Sequence, residues 1–385
     1  MLDPRFALRQ NHAMVSDHPS PQRIARLTPL ADVLTWIDAN VRPVTPGEVS
    51  IADAIGRTLA ADIKAAHAIP PKVISLRDGY ALQSDWTSDA SSYAPAPLPR
   101  MPARVDVGDV LPSNTDCVAA LEHIAIKGER AEALAVVAPG DGVLPAGGDA
   151  AADQPLLGAG RTLSTSDVAV LRAANFSKVS IRAPRISVIR AGRKDDTIIA
   201  SAAQMIVAAI DANGGTAISE ERSLESAFQQ KSDAIIAIGG TGAGQKDISV
   251  TTLSRAGTVA FHGIGLTPGE TAATGEANGK PVLLMPGRID SALACWLVLG
   301  RKILAQLAGG AADNVTTPLK LARKITSTIG IADVVLLKSR HGDADPLASG
   351  TWPMQALAQA DSYYVVPPES EGFPAGASVN ASPLP

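Results

Sequence analysis

Ala234-Ile235-Ile236-Ala237-Ile238 is an unbroken apolar run that opens directly into the glycine turn Gly239-Gly240-Thr241-Gly242-Ala243-Gly244, with Lys246 and Asp247 close behind. Five apolar residues ending in turn chemistry read as a strand buried on both faces, the kind a parallel sheet uses. Outward from it, strands and helices alternate. Strand-like residues 186–189 precede a helical pattern over 198–213, which stops at Gly214-Gly215. Strand-like 216–218 precedes a helical stretch to about residue 231. Beyond the glycine turn come another helix, a strand at 258–261, a loop, a strand at 281–285 and a long helix over 290–307. This alternation predicts a three-layer α/β domain over residues 183–312, with a parallel-rich sheet covered on both faces. Ligands of such sheets sit beyond the carboxyl ends of the strands, where the loops after Ile189, Ile238 and Met285 gather.

The flanks have a different character. Residues 1–27 show no apolar periodicity and hold three prolines, which predicts a flexible arm. Thr28 as cap, Pro29 at the first helical position and the stripe Leu30, Val33, Leu34, Ile37, Val41 predict a helix. Ser50 and Asp53 resemble a capping box ahead of a second helix with Ile51, Ala54, Ile55 and Leu59 on its apolar face. Residues 66–139 hold short β-prone pieces (79–82, 104–107, 133–137) between Pro- and Gly-rich turns, an inserted β domain. A loop rich in Gly, Ala and Asp, a helix at 165–174 and a strand at 178–181 follow. Segments 28–65 and 140–182 then form one helical/linker domain. Residues 313–385 return to strands (334–337, 363–366) punctuated by Gly372, Pro374 and Gly376, which predicts a C-terminal β barrel.

Composition removes several classes. Among 385 residues, 34 Lys+Arg against 38 Asp+Glu give a formal charge of −4 with no basic run, which predicts no nucleic-acid binding. The longest apolar stretch, around residues 292–299, stops at Gly300-Arg301-Lys302, so no membrane span is expected. Cys117 and Cys295 cannot build a disulfide scaffold or a Cys-rich zinc site. The first twenty residues lack the apolar core of a signal peptide, so the expected location is the cytoplasm. Aromatic residues are only 3%, so Ala, Val, Ile and Leu must fill the cores.

Few residues carry chemistry on their own. The loop 239–247 suits an anion, because backbone N–H groups and a helix start can face it. It fits neither dinucleotide nor Walker spacing, since Lys246 is not followed by Ser or Thr, and a plain tight turn is the alternative. Pro286-Gly287-Arg288 places an arginine at a helix start, for a bidentate oxyanion contact or for solvent. Asp78 reads as a surface turn acid paired with Arg77. His67, His123 and His262 lie far apart and make no metal motif. These residues alone describe an α/β protein for a phosphorylated ligand.

The order of the motifs adds to this. Asp78-Gly79-Tyr80-Ala81, the 239–244 loop with Asp247, Phe261-His262-Gly263 with Pro268-Gly269, and Met285-Pro286-Gly287 with Ser291-Ala292 resemble the molybdopterin molybdotransferase family, of MoeA and gephyrin E-domain type. Ala360-Asp361, Glu371-Gly372 and Ala375-Gly376 fit its tail, so the resemblance runs from about residue 28 to 380. It implies a homodimer of elongated four-domain chains. It also implies adenylylated molybdopterin and molybdate as substrates, Mg²⁺, and release of AMP as molybdenum enters the dithiolene. The cleft would lie between the α/β domain of one chain and the Asp78-bearing domain of the other. By carry-over, Asp78 and Asp247 become the catalytic acids that handle Mg²⁺ or molybdate. Gly239, Gly240, Thr241, Gly242, Gly244, Pro286, Gly287, Arg288 and Ser291 become the ligand- and phosphate-binding set.

Departures from the family pattern are concentrated in the cleft. The family's P-P-F-D-N-S-A-M-D-G-Y-A reads Pro70-Pro71-Lys72-Val73-Ile74-Ser75-Leu76-Arg77-Asp78-Gly79-Tyr80-Ala81. Its S-T-G-D-E reads Arg190-Ala191-Gly192-Arg193-Lys194, and its K-P-G-K-P reads Thr267-Pro268-Gly269-Glu270-Thr271. Acids have become bases in one loop, and a lysine has become an acid in another. This predicts a charge exchange between Glu270 and the pair Arg193 and Lys194. Three readings follow: molybdate insertion with altered or lost turnover, a non-catalytic molybdopterin carrier for a catalytic paralogue or a molybdoenzyme client, and an enzyme for another phosphorylated pterin.

Overall fold

A computed structural model describes residues 22–191, 196–219, 221–310 and 315–385. They form two compact units: Pro46–Ile181, and the flanking chain up to Thr45 together with Arg182–Pro385.

The larger unit holds the α/β sheet. Its strand order is Thr216–Ser219, Arg185–Arg190, Ala234–Ile238, Lys280–Met285, Ala273–Ala277, Thr258–His262. The first four run parallel, with Ile186 opposite Ala234 and Ile235 opposite Val282. The last two join antiparallel. Ala273–Ala277 occupies what the sequence offered as loop, because its pairing is tertiary. Side chains alternate between two cores. Ala234, Ile236 and Ile238 face one core with Ile206 and Ile210 of the helix Thr197–Ala212; Ile235 and Ala237 face the other with Val250 and Leu253 of the helix Ser249–Ala256. The sheet is therefore covered on both faces, as the apolar run predicts. The helices that follow Arg185–Arg190 and Ala234–Ile238 leave to opposite faces, and a crevice opens between those neighbouring strand ends.

Several local expectations are corrected. The first helix is Leu30–Asn40, with Pro29 as its uncapped N-cap; Thr28 instead bridges Ile264. The helical stretch expected up to residue 231 is the single turn Leu224–Ala227. The long C-terminal helix runs as Ile289–Cys295, a π-turn at Trp296–Gly300, and Arg301–Ala308. Taken whole, Ile289–Ala308 is long and apolar enough to cross a membrane by length and composition, which the sequence reading missed. In this fold 72% of its apolar window is buried in the protein core, which its composition serves.

The chain end forms a closed five-stranded barrel. Ala332–Arg340, Asp343–Ala348, Thr317–Leu321, Ser378–Pro383 and Ser362–Val366 follow in order, and the last pairs back onto the first. Val335, Leu337, Leu319 and Val379 fill its interior, while Val334 and Leu336 point into the α/β core. Leu266–Thr267 adds a parallel strand beside Ala332 and Asp333.

The unit Pro46–Ile181 is built from short strands. Gly79–Leu82 sits between Ala103–Val105 and Cys117–Ala120. The strand expected at 133–137 is Arg130–Ala133 instead. The second helix is only a 3₁₀ turn, Ile51–Ala54, although Ser50 caps it through Asp53 as expected, and Leu59 lies in the strand Thr58–Leu59. Thr165–Ala173 is a helix with a full capping box between Ser164 and Asp167.

Candidate functional site

The glycine turn is shaped by space as well as by dihedral angle. Gly239 and Gly240 have φ of +101° and +71°, where L side chains are strained. A Cβ on Gly240 would lie 2.5 Å from Ser249 Oγ and 3.0 Å from the Ala191 carbonyl. Ser249 closes the turn. Its hydroxyl donates to the Gly239 carbonyl at 2.8 Å and its N–H to the Gly240 carbonyl at 3.0 Å. At the far end, Asp247 Oδ2 accepts the Gly244 N–H at 3.2 Å and lies 2.8 Å from where a Gly242 Cβ would be. The N–H groups of Gly240, Thr241, Gly242 and Ala243 donate to no described residue.

Two neighbours fix the middle of the turn. Thr241 is buried, with its hydroxyl 3.0 Å from that of Thr271. Its carbonyl lies 3.0 Å from His262 Nε2, which must carry the proton because a carbonyl only accepts. Gln22 donates from Nε2 to the carbonyls of Gly240 and Gly242, both at 3.0 Å.

The loop after Met285 meets the glycine turn. A Cβ on Gly287 would lie 3.5 Å from Gly239 Cα and 3.0 Å from Ile199. Arg288 is bound to Asp290, which is buried and also accepts the N–H groups of Ser291 at 2.8 Å and Trp352 at 3.2 Å. Burial pushes the Asp290 carboxyl up, but Arg288 and those two N–H groups outweigh it and hold it below the usual range. The pair in turn raises Arg288.

These loops converge on a cleft of about 310 Å³. It brings together Gly239, Gly240, Thr241, Gly242, Asp247, Pro286, Gly287 and Arg288, and adds Asp196, Ile198, Ile199 and Thr271. Gly244 and Ser291 are not in its wall: Gly244 serves Asp247, and Ser291 turns to Asp290. Asp196 caps the helix Thr197–Ala212 through the N–H groups of Ile198 and Ile199. Arg190 pairs with Glu221 beside a neighbouring cleft of about 330 Å³.

The altered positions are only partly in view. Thr267 lies on the short strand opposite Asp333. Glu270 is half-buried and accepts the Gly269 N–H at 3.1 Å. Among the described residues no cation pairs with it; its charge instead opposes ionisation of Cys295 and Asp333. Arg193 and Lys194 lie outside the described residues, and with them the other half of the expected charge exchange. Asp78 lies in the unit Pro46–Ile181, exposed, with Oδ1 accepting the Val107 N–H at 2.9 Å. Arg77 is not its partner, contrary to expectation: Arg77 pairs at 2.5 Å with Asp141, on the segment brought alongside by the hydrogen bond from the Leu76 N–H to the Gly142 carbonyl. Gly79 is required by packing, since a Cβ there would lie 2.1 Å from the Ala119 carbonyl.

Among the described residues, no three His, Cys, Asp or Glu side chains group as metal ligands. Asp247 and Asp196 are the acids of the cleft, and Asp247 keeps Oδ1 free of any described hydrogen-bond donor. Two carboxylates suit Mg²⁺ only when phosphate oxygens and water complete its octahedron. Sequence reading set His262 aside as a lone histidine. It gave no site role to Gln22, Thr271 or Asp290. Asp290 alone left a local signal, an acid in the first turn of a helix beside an arginine.

Residues 28–174 match the family described as MoeA N-terminal region (domain I and II), and residues 191–306 match that described as probable molybdopterin binding domain. The chain is similar to a molybdopterin biosynthesis protein of Methanocaldococcus jannaschii, 25% identical over 370 residues, covering 86% of this chain and 91% of that one. It is also similar to the molybdopterin molybdenumtransferase of Bacillus subtilis, 22% identical over 383 residues, covering 86% and 88%. The crystal structure of the molybdopterin biosynthesis moeA protein of Pyrococcus horikoshii shares the fold, with a TM-score of 0.77 at 21% identity, covering 93% of this chain and 100% of that one.

Proposed function

The chain belongs to the MoeA-type family of molybdopterin molybdotransferases, proteins of molybdenum cofactor biosynthesis, and from that premise we propose that it binds adenylylated molybdopterin at the glycine-loop cleft. There it serves the step in which molybdate enters the pterin dithiolene and AMP is released. The observation that carries this reading is the run of N–H groups from Gly240 to Ala243, which have no described acceptor and of which the first three belong to residues lining a cleft at adjacent strand ends. Such a run is a cradle for phosphate oxygens. Asp247 would hold Mg²⁺ through those oxygens, and the Mg²⁺ would supply charge neutralisation. Thr241, fixed by Thr271 and His262, keeps the cradle in shape before the ligand arrives.

Glu270 favours a second reading, a carrier that holds the pterin without turnover. A carboxylate where the family pattern has a lysine opposes an anion such as molybdate, by roughly 4 kcal/mol at ~4 Å and an effective dielectric near 20. The homodimer and the cytoplasmic location belong to the same proposal, and sedimentation velocity and cell fractionation test them.

The functional test incubates the purified chain with adenylylated molybdopterin, Mg²⁺ and molybdate, then measures AMP released and pterin and molybdenum retained. AMP release with retained molybdenum supports the insertion reading. Retained pterin without AMP selects the carrier, and no retained pterin overturns both.

A further inference from the structure

Gln22 precedes the first helix and lies outside the stretch 28–174 that matches the family. The residue is 8% exposed, does not line the cleft, and uses both ends of its side-chain amide. Nε2 donates to the Gly240 and Gly242 carbonyls. Oε1 accepts the Thr251 N–H at 2.9 Å, in the first turn of the helix Ser249–Ala256, and more weakly the Thr251 hydroxyl at 3.4 Å. The chain around it is seated too. Ile24 fills the space left by Gly263, where a Cβ would lie 2.4 Å away, and Thr28 exchanges hydrogen bonds with Gly263 and Gly265.

The peptide unit is planar and trans, so its C=O and N–H point in opposite directions. Holding the Gly240 carbonyl therefore aims the Thr241 N–H away from Gln22, and holding the Gly242 carbonyl does the same for the Ala243 N–H. Both N–H groups are among those without a described acceptor. We infer that Gln22 is a positioning residue that pre-orients these two loop N–H groups for the phosphate of the ligand. This rests on the reading that the cleft takes a phosphorylated pterin. Its action would be specific to the phosphate, because its contacts are confined to the loop and the helix start.

The experiment uses the full chain as wild type, Gln22→Ala and Gln22→Glu. Its probes are the oxidised fluorescent derivative of molybdopterin and the dephospho form of that derivative, read by fluorescence titration. Gln22→Glu keeps the shape and the acceptor for Thr251 but replaces the donor to both carbonyls by a carboxylate oxygen. Expected is about tenfold weaker binding of the phosphorylated probe in both variants, with binding of the dephospho probe unchanged. Wild-type affinity of either variant for the phosphorylated probe overturns the inference. So does equal weakening for the two probes, which would mark a merely structural role. If the wild type binds neither probe, the function reading fails, and the phosphate role of Gln22 fails with it.

Discussion

Arg288 holds Asp290 in a bidentate pair, Nε to Oδ1 at 3.1 Å and Nη2 to Oδ2 at 3.0 Å, across a steep gradient of exposure: 65% for the arginine side chain and 3% for the aspartate. The arginine that the sequence offers as an oxyanion contact is thus already engaged by a buried carboxylate. Asp290 in turn gathers the N–H groups of Ser291 and Trp352. Asp290→Ala leaves those two donors and the arginine without their acceptor, and should lower the unfolding free energy by ~2–4 kcal/mol in urea titration. The sign with pH follows from the lowered carboxyl. Its contribution is present at neutral pH and is lost as the pH falls through that lowered value, so Asp290→Asn should lack this part of the acid slope.

Gly240→Ala and Gly279→Ala separate two costs of a positive φ. Both glycines lie near +70°, at +71° and +74°, but Gly279 has open space around it while Gly240 faces Ser249 and Ala191. Gly279→Ala should cost about 1 kcal/mol for the dihedral alone. Gly240→Ala should cost ~2–4 kcal/mol, because the added Cβ also displaces Ser249 from the Gly239 carbonyl. Thermal unfolding of the two variants side by side measures the difference, and equal losses would remove the steric part.

Gly300→Ala should destabilise, although alanine is ordinarily the better helix residue by ~1 kcal/mol. Gly300 sits in the π-turn, where a Cβ would lie 2.4 Å from Cε3 of the fully buried Trp296. The tryptophan ring has no room to retreat inside a packed core, so a loss of ~1–3 kcal/mol is expected by calorimetry. A gain in stability would mean that the ring can shift.

How much could be read from sequence follows from where each residue's partners lie. Ala234–Ile238 was legible because a strand covered on both faces needs an unbroken apolar run, and the turn after it needs glycine. The Ser50–Asp53 cap was legible too, but a cap signals where a helix starts and not how long it runs. Ala273–Ala277 was not legible: Ala-Thr-Gly-Glu-Ala has no strand pattern, and Gly275 is there because a Cβ would lie 2.0 Å from the Thr258 carbonyl. The cleft divides in the same way. Gly239, Gly240, Asp247 and Gly287 announce themselves through local turn chemistry, whereas Gln22 meets partners 218 to 229 residues away and leaves no local trace.

Asp333→Asn tests a carboxyl perturbed in the opposite direction. Burial in the first place, and the charge of Glu270 besides, push Asp333 above its ordinary value of 3.8, against the Ser349 hydroxyl and the Gly350 N–H. A raised carboxyl contributes stability that is fully present below the ordinary value and is lost as the pH rises through the raised one. The asparagine carries no such proton, and its amide can donate to Ser349, whose hydroxyl can reverse its role. Between about pH 4 and pH 7 the stability difference should therefore move in favour of the variant. Urea titrations at both pH values check this, and parallel curves would refute it.

Glu270→Gln removes the charge that opposes an anion while keeping the oxygen that accepts the Gly269 N–H at 3.1 Å. No described cation neutralises Glu270, and it already disfavours ionisation of Asp333. The variant should therefore need about tenfold less molybdate for half-maximal molybdenum retention at low ionic strength. The gain should shrink in 0.5 M salt, at roughly half the Debye length found at 0.1 M, because part of the repulsion reaches the ligand through water. Asp333 should also titrate lower once its neighbour is neutral, so Glu270→Gln should flatten the loss of stability between about pH 4 and pH 7. Unchanged molybdate dependence together with an unchanged stability profile would mean that a cation pairs with Glu270 in the working protein, which is the arrangement expected from Arg193 and Lys194.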